Sequence, residues 1–266
     1  MPELKILPET EIIALYNDGT SLRDLAKKYN VDKGVIKRRL LKHNIELRTL
    51  SEANRIYSFD ESVFHKIDSH EKAYWLGFIA ADGNVCNNAL KIGLSSKDTE
   101  HLKKFKVFLK SDHPIHIYHP KVKGKVYESC EFSVRSDRIV ADLLKLNITP
   151  NKSKTLIPSV LKSKFISSYI LGIIDGDGCF YLDKKGQMHL SIVGSLPIIQ
   201  FIMDTLVKEC DITATKITEH KADSGVYLSY FGGNNKIKSI VDFLYQNTEV
   251  WLDRKRNIVR NHFERN

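Results

Sequence analysis

Two aspartates in this 266-residue chain each end the same kind of segment. Asp82 closes WLGFIAADG (75–83) and Asp177 closes ILGIIDGDG (170–178), 95 positions further on; both follow a run of apolar and small residues and precede a glycine. Gly77 and Ala81 lie four apart in the first run, Gly172 and Gly176 in the second, so each helix carries a bare strip along one face. Bare strips let two backbones come closer than packed side chains allow. Helices that meet this way converge at their ends, where Gly83 and Gly178 are free to take the left-handed conformation that stops a helix. Asp82 and Asp177 are thereby driven together. Adjacent carboxylates raise one another's pKa unless a cation lies between them, and hard divalent ions with oxygen ligands, magnesium above all, suit that place. Such an ion activates a water and neutralises charge growing on a phosphate, which is the chemistry of phosphodiester hydrolysis.

The elements that must position this pair repeat along with it. After Asp82 comes a hairpin-like stretch, NVCNNALKIGLSS, in which Leu90, Ile92 and Leu94 alternate with Lys91, Gly93 and Ser95. A helix (DTEHLKKFKVFLK), a longer hairpin turning near Lys123–Gly124 and a closing helix (DRIVADLLKLNI) follow. The second copy keeps the order with CFYLDKKGQMHLSIVGS, LPIIQFIMDTLVKE, ATKITEHKADSGVYLSYFGG and NKIKSIVDFLYQ. Leu190 and Ile192 correspond to Leu90 and Ile92, a longer turn around Gly186 supplying the five extra residues. The expected fold is α+β: two pseudo-symmetric αββαββα repeats, 71–158 and 159–266, within one chain.

Ahead of them, residues 1–50 read as three short helices. Ile12, Ile13, Leu15 and Tyr16 form a stripe stopped by Gly19; Ser21 and Asp24 have capping-box spacing; Asp32 caps a third helix whose Val35, Ile36 and Leu40 point inward. Lys33, Lys37, Arg38 and Lys42 are left on the outer side, the grammar of a helix-turn-helix that lays a basic helix in a major groove. Residues 51–70 read as a polar connector with one short helix.

WLGFIAADG and ILGIIDGDG, in register within a basic repeated frame, resemble the paired signature of the LAGLIDADG homing endonucleases in their single-chain form, over Tyr57 to the C-terminus. That resemblance implies two antiparallel sheets forming a saddle over double-stranded DNA with a long specific site, a monomer, and cutting of both strands with short 3′ overhangs. It assigns Asp82 and Asp177 to the metal, with Ala81 and Gly176 immediately before them, and implies two or more Mg²⁺, with Mn²⁺ as a substitute and Ca²⁺ for binding without cleavage. A basic residue in each half belongs beside the metals: Lys152, with Lys154 as rival, and Lys255. The family's first acid is present as Asp175 and replaced by Ala80 in the first half. A transcriptional regulator and an intron-RNA maturase are the alternatives on the same fold.

Strand alternation predicts which residues face the duplex. They are Lys91, Ser95, His116, Tyr118, Lys123, Lys125, Ser133 and Arg135 in the first half, and Tyr181, His189, Ser191, Lys216, Thr218, His220, Tyr227 and Ser229 in the second. HPIHIYHP suggests a metal cluster, but alternation puts His116 across the strand from His113 and His119. A net charge of +9 agrees with a polyanionic partner. Cys86, Cys130, Cys179 and Cys210 form no CxxC pair, which argues against a zinc knuckle or a disulfide framework and for buried thiols. With no long apolar run and no secretory or transit signal, no membrane partner is expected and the compartment is expected to be cytoplasmic.

Overall fold

The computed structural model describes residues 7–48, 57–222 and 224–264, which belong to two compact units, 1–56 and 57–266. In the first, α1 (Glu9–Asn17), α2 (Leu22–Tyr29) and α3 (Lys33–Lys42) enclose Ile12, Tyr16, Leu25, Ile36 and Leu40. Their starts follow the sequence: Ser21 Oγ accepts from the Asp24 N–H at 3.1 Å, and Asp32 Oδ1 from the Gly34 N–H at 2.7 Å. Glu9 holds Arg39 and, at 2.6 Å, His43. Arg48 donates to Gly19 O at 2.8 Å and lies 4.4 Å from the centre of the Tyr16 ring. Both arginines are thus engaged within the unit; Lys33, Lys37, Arg38 and Lys42 are exposed opposite Ile36 and Leu40, Arg38 donating to Gly34 O at 3.3 Å and Lys42 lying 4.0 Å from Glu9.

The second unit repeats one order of elements. The first copy has α4 (His70–Asp82), β1 (Gly83–Cys86), β2 (Ala89–Ser95), α5 (Thr99–Phe108), β3 (His116–Tyr118), β4 (Lys121–Val122), β5 (Lys125–Val126), β6 (Ser129–Arg135) and α6 (Asp137–Lys145). The second has α7 (Ile166–Asp177), β7 (Gly178–Leu182), β8 (Met188–Gly194), α8 (Leu196–Cys210), β9 (Thr218–Glu219), β10 (Tyr227–Gly232) and α9 (Asn234–Tyr245), followed by α10 (Asp253–Phe263). Each copy builds a four-stranded antiparallel sheet, β1-β2-β6-β3 and β7-β8-β10-β9. Gly83 pairs with Ile92 and Gly178 with Ile192, so the strand register bears out the five-residue extension around Gly186. The first hairpin turns on Asn87 and Asn88, both at positive φ, the backbone that a two-residue hairpin turn demands. One buried cluster runs through both copies, from Trp75, Phe105 and Phe132 to Phe180, Phe231 and Ile240.

The expected turn at Lys123–Gly124 is present, both residues at positive φ, at the tip of a two-stranded ribbon, β4-β5, that joins β3 to β6 outside the four-stranded sheet. Two expectations need correction. Gly83 and Gly178 are extended (φ −75° and −96°) and not left-handed, because the chain passes from helix straight into strand. They are small for a different reason: a Cβ on Gly83 would lie 2.6 Å from Ile79 O, and one on Gly178 2.7 Å from Ile174 O. Of the thiols only Cys130 is buried; Cys179 is exposed because its position on β7 alternates with the inward Gly178 and Phe180. The short helix expected in the connector does not fall within residues 57–69, and residues 51–56 lie outside the described ones.

Candidate active site

Helices α4 and α7 touch backbone to backbone. A Cβ on Gly77 would meet Tyr169 O at 2.0 Å, and one on Gly172 would meet Tyr74 O at 2.1 Å. These contacts are reciprocal, since Tyr74 and Gly77 recur at the repeat spacing as Tyr169 and Gly172, the pattern of an isologous interface inside one chain. One turn further on, a Cβ on Gly176 would come within 2.3 Å of the Ala81 Cβ and 3.4 Å of Asp82 Oδ2. The bare strips therefore set the approach of the helices and bring their acidic ends side by side.

Burial pushes the Asp82 carboxyl up to about 6, and the neighbouring Asp177 adds to the shift. Burial also raises Asp177, opposed by Lys152 and Lys255. Both lysines are themselves buried, 7% and 4% exposed, and burial lowers their pKa against the pull of the acids. Lys152 Nζ donates to Gly83 O and Lys255 Nζ, at 2.5 Å, to Gly178 O, equivalent carbonyls 95 positions apart. Lys154, the rival of Lys152, is exposed and lies against Gly225. Lys255 also reaches Gly176 O at 3.3 Å. Two half-buried carboxylates and two buried ammonium groups thus share one centre where both sheets begin.

Sequence reasoning missed the buried network behind it. Asp175, 1% exposed, accepts from Tyr74 OH at 2.7 Å and from the Leu252 N–H at 2.7 Å; burial raises its carboxyl to about 6. Tyr74 OH also meets His101 Nε2 at 3.0 Å, and burial lowers that imidazole to about 3, leaving it neutral. The one signal in the sequence is the tyrosine that precedes both motifs, Tyr74 and Tyr169. A polar cleft lined by His70, Lys164, Ser167, Lys208 and Asn247 lies at the other end of α7, away from this centre.

Pairing fixes which side chains share the open sheet faces, because residues directly opposite one another point the same way. Lys91 stands opposite Ser133, His116 opposite Glu131, Tyr118 and Ser95 opposite Ser129, and Arg135 opposite Ala89, all on the face away from Leu90, Ile92 and Phe132. Lys123 and Lys125 are exposed on the ribbon. In the second sheet Tyr181 stands opposite His189, their rings 5.4 Å apart, and Ser191 and Thr218 share that face; Lys216 and His220 flank β9 and are exposed. Tyr227 and Ser229 do not join them. They align with Phe231 on the core side, Ser229 opposite Ile192, and the open positions of β10 are Leu228 and Tyr230. His113 packs on Tyr57 and Phe59, and no group of three metal-binding side chains from His, Cys, Asp or Glu occurs among the described residues. Nor is any described helix long and apolar enough to cross a membrane.

No protein-family model and no curated protein sequence matches this chain. Among solved structures, the homing endonuclease I-WcaI bound to its DNA recognition sequence is 10% identical, with a TM-score of 0.52 over 80% of this chain and 96% of that one. The I-LtrWI LAGLIDADG homing endonuclease bound to target DNA is 14% identical, with a TM-score of 0.45 over 76% and 90%. Reciprocal glycine contacts, paired sheets and the I-WcaI superposition agree: the chain has the fold of the LAGLIDADG homing endonucleases.

Proposed function

We propose that the protein is a site-specific endonuclease that hydrolyses both strands of a DNA duplex with divalent metal and leaves short 3′ overhangs. The observation that carries this reading is the half-buried Asp82–Asp177 pair, delivered where both sheets begin and flanked by the buried Lys152 and Lys255. Carboxylates whose pKa is pushed up by burial lack compensating charge, and their all-oxygen donor set suits Mg²⁺, with Mn²⁺ as a substitute and Ca²⁺ as a binding-only ion. Ions bound there supply an activated water and offset charge on the scissile phosphate.

The chain's own residues hold and orient. Asp82 and Asp177 bind the ions, with Ala81 and Gly176 beside them. Lys152 and Lys255 keep positive charge next to the carboxylates, and the α4–α7 contact fixes the spacing of the two half-sites within a single chain. Lys91, His116, Tyr118, Arg135, Tyr181 and His189 present donors, acceptors and flat rings on the open sheet faces, and Lys123, Lys125, Lys216 and His220 extend them toward phosphates and base edges. The first unit, as a helix-turn-helix with Lys33, Lys37, Arg38 and Lys42 outward, lengthens the contact. That I-WcaI, of the same fold, is bound to its DNA recognition sequence supports duplex DNA as the partner.

The test is selection of cut molecules from a randomised duplex library with Mg²⁺, run with wild type, Asp82→Asn and Asp177→Asn. A single long recovered site, cut on both strands by wild type and on neither or one by each variant while Ca²⁺-dependent binding persists, is the expected result. Cutting unchanged in both variants would remove the pair from the chemistry.

A further inference from the structure

The two buried lysines occupy matched places in the repeats but not matched surroundings. An ammonium group has three N–H donors. Lys255 Nζ lies among four carbonyl oxygens, at 2.8 Å from Ile174, 2.6 Å from Asp175, 3.3 Å from Gly176 and 2.5 Å from Gly178. Ile174, Asp175 and Gly176 belong to the last turn of α7; Ile174 O also accepts from the Gly178 N–H, whereas the helix by itself leaves the carbonyls of Asp175 and Gly176 without a donor. Among the described residues, Lys152 Nζ donates to one carbonyl, that of Gly83. Resting on the endonuclease reading for the identity of the substrate, we infer that Lys255 is a structural clasp on the carbonyl end of α7, whereas Lys152 keeps N–H donors free for the DNA phosphate or the attacking water.

The difference traces to one position. Asp175 grips the segment that carries Lys255 twice: its carboxylate accepts from the N–H of Leu252, the residue just before α10, and its carbonyl accepts from Lys255 itself. The start of α10 is further tied to the first repeat. Lys104 donates to Trp251 O at 3.0 Å and Asp253 Oδ1 at 2.8 Å, and Arg254 forks onto Asp98 at 3.2 and 3.1 Å. In the first repeat Ala80 stands where Asp175 does and offers no carboxylate; Lys152 sits in a single 3-10 turn, Lys152–Lys154, entered through Asn151 at positive φ. One half-site is clamped and its lysine donors are spent. The other keeps donors to give, so the two strands are cut at unequal rates.

Three measurements on the full chain decide it. In ¹⁵N-lysine-labelled protein near neutral pH, the Lys255 ammonium gives a proton-coupled nitrogen signal protected from water exchange, identified by its loss in Lys255→Met, and Lys152 gives none. Lys255→Met lowers the thermal midpoint by about 5 °C or more, since several carbonyls lose their donor, and Lys152→Met lowers it by under about 2 °C. On the recovered duplex, labelled separately at each 5′ end, Lys152→Met reduces cutting of one strand by about a hundredfold, whereas Lys255→Met slows both strands by similar factors. Equal protection of the two ammonium groups, or variants that silence opposite strands to the same degree, would overturn the inequality. If Lys255→Met does not fold, the wild-type signals, assigned by difference with Lys152→Met, carry the decision. Failure of wild type to cut any duplex would remove the endonuclease reading, and the ammonium signals and midpoints would still judge the clasp.

Discussion

Replacing Gly172 with alanine is expected to force α4 and α7 apart. The new Cβ would meet Tyr74 O at 2.1 Å, Phe78 N at 2.6 Å and Gly77 C at 3.0 Å, whereas ordinary contact begins at 3.4 Å, a shortfall of 1.3 Å (3.4 − 2.1) against the nearest atom. All three are backbone atoms in a buried helix, so no side-chain rotation relieves the clash. Overpacking a rigid core costs about 1–3 kcal/mol, and backbone against backbone sits at or above the top of that range. Alanine recovers about 1 kcal/mol through its better helix propensity. A net loss of about 2 kcal/mol or more follows, which for a unit of this size lowers the midpoint by roughly 4–8 °C. Urea and thermal unfolding of Gly172→Ala measure it, with Gly194→Ala as control: there the nearest atoms are side-chain carbons of Ile198 and Ile199 at 3.6 Å, and stability is expected to hold or rise. A Gly172→Ala midpoint equal to wild type would refute the close approach and, with it, the reason the two acids converge.

Three further outcomes follow from the same geometry. Because the Asp82 carboxyl rises from 3.8 to about 6 on folding, the folded chain binds more protons than the unfolded chain between about pH 4 and 6, and this group's contribution to stability falls as pH rises through that window. Asp82→Asn is therefore expected to exceed wild type by about 2–3 kcal/mol above pH 6 without divalent ions and to match it near pH 3; an equal gap at both pH values in urea melts would contradict this. Tyr74→Phe removes a donor from Asp175 and the partner of His101 Nε2, both buried, at a cost of about 1–3 kcal/mol in equilibrium unfolding, and a neutral result would mean the network contributes nothing. Ser21→Ala deletes the cap on α2 at about 1 kcal/mol, and calorimetry is expected to show that loss only in the transition of the first unit. A shift in the other transition would show that the units do not unfold separately.

Much of this centre was legible because it is encoded locally and twice. The 95-residue offset, the small residues four apart and the terminal acids are all visible in two nine-residue stretches, and their reciprocal contacts follow from helix periodicity alone. The choice of Lys152 over Lys154 was not legible, since two residues in one 3-10 turn differ only in direction, which Asn151 at positive φ and the carbonyl of Gly83 decide. YLSYFG misled for a physical reason: Tyr227, Leu228, Tyr230 and Phe231 leave apolar residues at both parities, and only the pairing of Phe231 with Leu190 turns Tyr227 and Ser229 inward. The network on Asp175 joins Tyr74, 101 residues away, to Leu252, 77 residues away in the other direction, and no periodicity spans such distances.

The most direct measurement is of divalent ion at the paired acids. Paramagnetic resonance of Mn²⁺ titrated into the protein–duplex complex counts bound ions for wild type and for the double variant Asp82→Asn/Asp177→Asn, with duplex affinity in chelator as the check on folding. Bound Mn²⁺ in wild type that disappears in the double variant, at unchanged duplex affinity, is the expected result. Equal Mn²⁺ retention in both proteins would contradict a metal centre built on Asp82 and Asp177.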